Sequence, residues 1–184
     1  DSKKLRMGNL NDDDWQKMAE ATENLNKLKI LIDENSGITV PEMKAKCRRV
    51  NNLGLIVIDY LQLMHAPKHT DNRVQEVAEI SRSLKIMAKE LNVPVLCCCQ
   101  LSRGPEGRQD KRPMLSDLRE SGSIEQDADI VLFIYRDDYY NNEGENKNAA
   151  ELIVAKNRHG ETGKIDLQWL GQFTAFMPQD NRHG

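Results

Sequence analysis

Apolar positions along this chain follow distinct rhythms, and each change of rhythm marks a change of element. Val74, Val77, Ser81, Leu84, Ala88 and Leu91 fall at i, i+3, i+7 intervals. That spacing predicts an amphipathic helix of about five turns, closed by Asn92-Val93-Pro94. Around it lie unbroken apolar runs, Leu53 to Tyr60, Val95 to Cys99 and Ile130 to Tyr135. Continuous rather than alternating, and rich in β-branched residues, they read as strands buried on both faces of a parallel sheet. Beyond Tyr135 a polar loop, Asp137 to Asn148, precedes shorter runs at Leu152–Ala155, Lys164–Trp169 and Phe173–Met177. The short turns Arg158-His159-Gly160 and Leu170-Gly171-Gln172 join them, which predicts antiparallel strands.

The first fifty residues are less regular. Acidic Asn11-Asp12-Asp13-Asp14-Trp15 predicts a helix start, since carboxylates complement the positive end of the helix dipole. Met18, Leu25 and Leu28 then recur at roughly helical spacing. Lys29 to Asp33 reads as a short strand, and Val40 to Val50 as a basic helix with Pro41 in its first turn. Strand–helix–strand–helix–strand followed by a meander is an α/β domain with a mainly parallel sheet. No repeat, linker or second domain is evident in the pattern.

Composition narrows the class. The chain has 184 residues, 39% of them hydrophobic, with 26 Lys+Arg against 29 Asp+Glu and a net charge of −3. Its mean hydropathy is −0.66. This is a globular composition, and no apolar run approaches the roughly 20 residues that span a bilayer. The opening Asp1-Ser2-Lys3-Lys4-Leu5-Arg6 does not lead into a secretory apolar segment. A slightly acidic chain binds nucleic acid through cations gathered on a loop, not as a bulk polycation. Three of the four cysteines are consecutive, Cys97-Cys98-Cys99, and the fourth is Cys47. Neighbours in a strand point to opposite faces and C-x-x-C spacing is lacking, so these are small strand residues in a reducing cytoplasm.

Polar residues that follow apolar runs are the candidates for chemistry, because open parallel sheets place functional groups beyond the carboxyl ends of their strands. Asp59 ends one run and Gln100 another. A carboxylate there suits a magnesium ion beside a nucleotide's phosphates, and a glutamine suits a phosphate or an attacking water. An Asp capping a turn and a Gln satisfying loop backbone account equally well for each residue alone. Lys156-Asn157-Arg158 enters a turn, where two cations on a hairpin suit a phosphate across a subunit boundary or form a plain exposed basic turn. Asp117-Leu118-Arg119-Glu120-Ser121-Gly122-Ser123 precedes a short helix from Ile124 to Ala128. Arg119 and the Gly122-Ser123 backbone suit a nucleic-acid phosphate, or an ordinary helix cap with a local Arg–Glu pair. His65 and His69 are four apart, but Pro67 between them disfavours a metal site, and His159 and His183 have no evident partners.

Taken together these segments resemble a known family. Leu55-Ile56-Val57-Ile58-Asp59-Tyr60-Leu61-Gln62-Leu63-Met64 resembles the Walker B segment of bacterial DnaB-type replicative DNA helicases. Glu76 to Lys85 is similar to the helix that follows it. Gln100-Leu101-Ser102-Arg103, Leu118 to Gln126 and Lys156-Asn157-Arg158 match further motifs in the family's order. Five ordered segments are far more specific than any one.

The resemblance implies a RecA-like three-layer α/β domain, mainly parallel with C-terminal antiparallel strands and incomplete at the N-terminus. It implies a cytoplasmic homohexamer in which ATP and Mg2+ drive 5′ to 3′ movement on single-stranded DNA and unwinding at the replication fork, with primase and a helicase loader as partners. Asp59 takes the role of the magnesium-associated carboxylate, and Gln100 couples γ-phosphate state to the DNA-binding loops. Lys156 and Arg158 are offered to the neighbouring subunit's nucleotide. Arg119, Glu120 and Gly122 fall in the DNA-contacting loop, with Glu120 orienting Arg119. No G-x-x-x-x-G-K-[ST] occurs in the 184 residues. Residues 1–184 are therefore expected to be the back part of a motor domain, without the P-loop, the catalytic glutamate and the primase-interacting domain, and inactive alone. A non-catalytic RecA-like interaction module and a recombinase- or loader-type ATPase are the rival readings.

Overall fold

A computed structural model of the chain describes residues 1–35, 37–67, 72–140 and 147–179, with the side chains of residues 119–121 left out. His69 and His183 lie outside the described residues. The chain divides into two compact units. One comprises the described parts of Asp1–Glu34, Arg136–Ala150 and Asp166–Gly184; the other comprises those of Asn35–Tyr135 and Glu151–Ile165.

The second unit carries the main core. Helix α3 (Val40–Cys47) starts at Thr39, whose backbone N–H donates to Glu42 Oε2 at 2.9 Å, and Pro41 sits in its first turn. Strand β1 (Ile56–Ile58) runs parallel to β2 (Val95–Cys97), with Ile58 opposite Cys97. Helix α4 (Arg73–Leu91) connects them. Asn72 caps its start by accepting from the Val74 N–H at 3.0 Å, and Asn92 ends it in the left-handed conformation at φ 52°. Asn tolerates that region because its short polar side chain bonds locally. The buried stripe of α4 is Val77, Ile80, Ser81, Leu84 and Met87, packed with Ile56, Ile58, Leu61 and Met64. Burying such side chains is worth roughly 1.5–3 kcal/mol each. The predicted stripe is thus right in period, although Val74 itself is exposed.

The expected burial on both faces is corrected for all three runs, including Ile130–Tyr135, where Ile130, Leu132 and Ile134 are about half exposed and which lies in a sheet separate from the parallel pair. β1 is not buried on both faces: Ile56 and Ile58 are buried, while Val57 is 58% exposed. Leu96 on β2 is likewise half exposed. The strand does belong to a parallel pair. Its burial alternates because α4 covers the face that carries Ile56 and Ile58, and the described residues of this unit leave Val57 and Leu96 uncovered.

A polar segment follows β2. It includes a short 3-10 turn (Gly104–Gly107) and leads to a longer one (Leu115–Ser121), which continues into α5 (Gly122–Asp127). Strands β3 (Ile130–Arg136), β4 (Ala149–Asn157), β5 (Gly163–Leu170) and β6 (Ala175–Pro178) form a four-stranded sheet in that order. β5 and β6 are antiparallel, with Trp169 opposite Phe176. A smaller core of Leu118, Val131 and Phe133 gathers Leu115, Ile153 and Ala155 around it. The polar stretch after β3 opens with a four-residue helix, α6 (Asp137–Tyr140), where only loop is expected; residues 141–146 of that stretch lie outside the described residues.

In the first unit, α1 (Ser2–Met7) is capped by Asp1, which accepts from Lys3 N at 2.8 Å. Asn11 and Asp14 form a reciprocal capping box at the start of α2 (Asp12–Asn26), where the acidic cluster predicts it. Lys4 Nζ bonds Asp14 at 3.0 Å. Ser2 N donates to Gln172 O at 2.8 Å, Trp169 packs on Phe176 with centroids 4.7 Å apart, and Arg136 lies over the Trp169 ring at 4.4 Å. α2 buries none of its residues. The expected strand at Lys29–Asp33 is not formed: the segment is irregular, and Ile32 is 83% exposed. A strand needs a partner edge for its N–H and C=O groups, and no strand among the described residues runs alongside this segment in a sheet.

Candidate functional site

Asp59 and Gln100 both lie past the carboxyl ends of neighbouring parallel strands, Asp59 directly after β1 and Gln100 three residues after β2. Cys98 N donates to Ile58 O at 2.9 Å, and Leu61 N donates to Cys98 O at 2.9 Å, so backbone pairing continues just past both strands. Asp59 is exposed, and its carboxylate makes no hydrogen bond or ion pair among the described residues. The Gln100 side chain is also exposed and uncommitted, while its backbone is held. Gln62 does the holding. Its Oε1 accepts from Gln100 N at 3.2 Å, and its Nε2 donates to Gln100 O at 3.2 Å and to Cys99 Sγ at 3.3 Å. An uncommitted carboxylate past one strand and an uncommitted carboxamide past its neighbour are groups that suit a magnesium-bound phosphate. Among the described residues no cluster of three or more His, Cys, Asp or Glu could hold a metal by itself.

Burial shapes two of the neighbouring cysteines, Cys97 and Cys99. Burial pushes the Cys97 thiol up to about 12, with its cysteine neighbours adding to the shift. Burial also raises Cys99, against the hydrogen bond from Gln62. Both are protonated at neutral pH and poor nucleophiles or metal ligands.

Lys156 and Arg158 form a second grouping, at the end of β4 and in the turn after it. Lys156 is half-buried, and its ammonium donates to Glu125 O at 2.5 Å and Ala128 O at 2.8 Å. These carbonyls lie at the C-terminal end of α5, where a cation is favoured. Arg158 is more open: Nη1 lies 3.2 Å from Asp129 Oδ1 and Nη2 donates to Gln126 O at 3.3 Å. Lys85 of α4 also pairs with Asp129. Lys85 foremost, with Arg158 and His159 adding charge, holds the Asp129 carboxyl below its usual range. Ser81 Oγ donates to Asp127 at 2.8 Å, so α4 and β4 together clamp the end of α5.

At the other end of α5, Gly122 is exposed with open space around its α-carbon. The side chains of Arg119 and Glu120 lie outside the described residues, so their expected roles are not addressed by this geometry. The turn that carries them is firmly seated. Buried Asp117 accepts from Arg108 Nη1 at 2.9 Å, Arg108 Nη2 at 2.7 Å and Met114 N at 2.8 Å. Its carbonyl accepts from Ser102 N at 3.1 Å. Gly104 approaches so closely that a Cβ there would lie 3.1 Å from Asp117 Oδ1. Sequence pattern alone missed both Gln62 and this Arg108–Asp117 pair. The available signal was an Asp three residues after Met114, the position that returns a carboxylate to a turn's first N–H.

The comparisons settle the family. The model of the DnaB-like helicase C terminal domain matches residues 1–178. The chain belongs to the DnaB-like helicase C-terminal domain family. It is 54% identical over 182 residues to the replicative DNA helicase DnaC of Bacillus subtilis (strain 168), and 53% identical over 182 residues to the replicative DNA helicase DnaB of Geobacillus stearothermophilus. Each alignment covers 97% of this chain and 40% of the relative, so the chain spans well under half the length of these proteins. Among solved structures, an ATPase domain superposes with a TM-score of 0.91 at 41% identity, covering 97% of this chain and 66% of that one. A DnaB-like replicative helicase, solved in a study of its interactions with primase, gives 0.88 at 43% identity, covering 93% and 42%. The fold is accordingly α/β and RecA-like, as the resemblance implied. No helix among the described residues is long and apolar enough to cross a membrane.

Proposed function

We propose that this DnaB-like chain is part of a homohexameric, cytoplasmic replicative helicase that couples ATP hydrolysis to 5′ to 3′ translocation on single-stranded DNA and unwinding at the fork. The observation that carries the reading is the pair of uncommitted polar side chains, Asp59 and Gln100, at the tips of adjacent parallel strands. Asp59 would hold Mg2+ directly or through water, and the ion would neutralise charge on the β- and γ-phosphates. The Gln100 carboxamide would bond the γ-phosphate or the attacking water and change partner when the phosphate leaves. Arg158, the more exposed of the two cations, would have to leave Asp129 and the Gln126 carbonyl to reach a neighbouring subunit's nucleotide. Lys156 would have to release the Glu125 and Ala128 carbonyls to join it, which would move the end of α5. Arg119 would contact the DNA backbone with Glu120 orienting it, and the Gly122 N–H would add a further donor.

The similarity to a helicase studied with primase supports primase as a partner of the complete protein, and a helicase loader is a further partner that the family resemblance implies. The 184-residue polypeptide by itself carries no G-x-x-x-x-G-K-[ST] cradle, and we expect it neither to bind ATP tightly nor to hydrolyse it. The test is forked-duplex unwinding by the complete protein. ATP-dependent separation of a duplex with a 5′ tail, lost in Asp59→Asn, is the expected result. Strand pairing without unwinding, or unwinding untouched by Asp59→Asn, would overturn the reading.

A further inference from the structure

The polar groups around the strand tips include one side chain to which the proposed mechanism gives no role. We propose that Gln62 is a positioning residue for Gln100, a side-chain rung that extends the β1–β2 ladder and fixes the backbone from which the phosphate-sensing carboxamide projects. The inference rests on the role assigned to Gln100 above.

Backbone pairing between the two strands ends with Leu61 N bonded to Cys98 O. Past that point the chain after β1 winds into a 3-10 turn, Leu61–Leu63, and can no longer offer main-chain partners to Gln100. A primary amide carries a donor and an acceptor side by side in one plane, as a strand edge does. The Gln62 carboxamide uses both on one residue, bonding the N–H and the C=O of Gln100 at 3.2 Å each. Two bonds to the same backbone restrain its rotation as well as its position, which one bond would not.

The rung is itself anchored. Buried Leu61 and Met64 seat the turn in the core. The Gln62 carbonyl accepts from Arg73 Nη2 at 2.8 Å, Arg73 Nη1 pairs with Glu76 Oε2 at 2.5 Å, and Glu76 Oε1 accepts from Ala66 N at 3.2 Å. Gln100 is therefore tied, through Gln62, to the first turn of α4. Hydrogen-bonding geometry held this way decides whether a group meets a phosphate at the right moment, and a displacement near 1 Å costs a large factor in rate.

The experiment uses the complete helicase and measures ATP turnover with single-stranded DNA, together with amide exchange by mass spectrometry. Gln62→Met removes both bonds at similar volume. It should lower kcat by about tenfold or more while KM for ATP stays within about twofold, with faster exchange at Gln100 and α4 still protected. Gln62→Glu keeps an acceptor for the Gln100 N–H but sets a carboxylate oxygen against the Gln100 carbonyl, so it should show a kcat loss of the same kind. If Gln62→Met also loses protection across α4, Gln62→Glu decides: a kcat-selective loss supports the inference, and an unchanged kcat overturns it. Gln100→Ala is the reference. If it lowers kcat while neither Gln62 variant does, the inference fails and the role of Gln100 stands. If Gln100→Ala leaves kcat unchanged, the role of Gln100 fails and the inference fails with it. A Gln62→Met variant whose loss lies in KM would also overturn it.

Discussion

Replacing Asp117 by alanine should destabilise the protein far more than any surface change, because Asp117 is 4% exposed and carries three hydrogen bonds. Two come from the Arg108 guanidinium, which is itself 29% exposed and bonds the Arg112 carbonyl at 2.7 Å. Removing one member of a buried pair leaves the other charge uncompensated, a loss of about 3–5 kcal/mol when both are fully buried. Partial access of water to Arg108 places the expected loss near the lower end, about 3 kcal/mol. With a urea m-value of about 2 kcal/mol/M, the midpoint followed by circular dichroism should fall by roughly 1.5 M. Arg108→Met should cost less, and the double variant should show coupling of about 1.5 kcal/mol or more. Burial alone would raise the Asp117 carboxyl, but Arg108 and the Met114 N–H outweigh it and hold the group below the ordinary aspartate value of 3.8. Its contribution is therefore complete above that value and lost as pH falls through the lower folded value. Additive single variants, or a loss confined to neutral pH and above, would refute the reasoning.

Other consequences concern the proposed activity and its supports. In the complete protein, Arg158→Ala should lower ATP turnover by about 10³-fold or more with nucleotide binding still measurable; an equal fall in binding would exclude a role in charge stabilisation. Arg119→Ala should weaken single-stranded DNA affinity and reduce the slope of log K against log salt by about 0.7 for one lost phosphate contact, and an unchanged slope would count against that contact. Lys156→Met should cost about 1–2 kcal/mol by leaving the Glu125 and Ala128 carbonyls without their cation, measurable as a lower unfolding midpoint.

Periodicity made the extent of α4 legible, and Val77, Ser81 and Leu84 face the core as their spacing requires, while Ile80 and Met87, its most buried residues, lay outside the stripe read from the sequence. The acidic cluster before Trp15 located α2, and the ends of the apolar runs indicated that Asp59 and Gln100 lie beyond strands. What the pattern could not convey was which face of each strand is covered. An unbroken apolar run reads as buried twice, yet Val57 and Leu96 are half exposed because burial depends on what packs nearby, not on the run itself. Lys29–Asp33 fails for a related reason: an apolar strand sequence requires an edge to pair with. Lys156 illustrates a third limit. A lysine at the end of a strand looks outward-reaching in sequence, whereas the carbonyls of α5, nearly thirty residues earlier, capture it. Gln62 was invisible because nothing in its local spacing distinguishes a solvent-facing glutamine from one that reaches 38 residues along the chain.

The most direct test of a nucleotide site shared between protomers is to mix two inactive variants of the complete protein, Asp59→Ala and Arg158→Ala, in equal amounts before assembly. In a closed ring about one interface in four then joins an intact Asp59 to an intact Arg158 from the next protomer. ATP turnover should rise well above that of either variant alone, towards about a quarter of the unmutated rate if sites act independently. Turnover no higher in the mixture than in the separate variants would contradict the account.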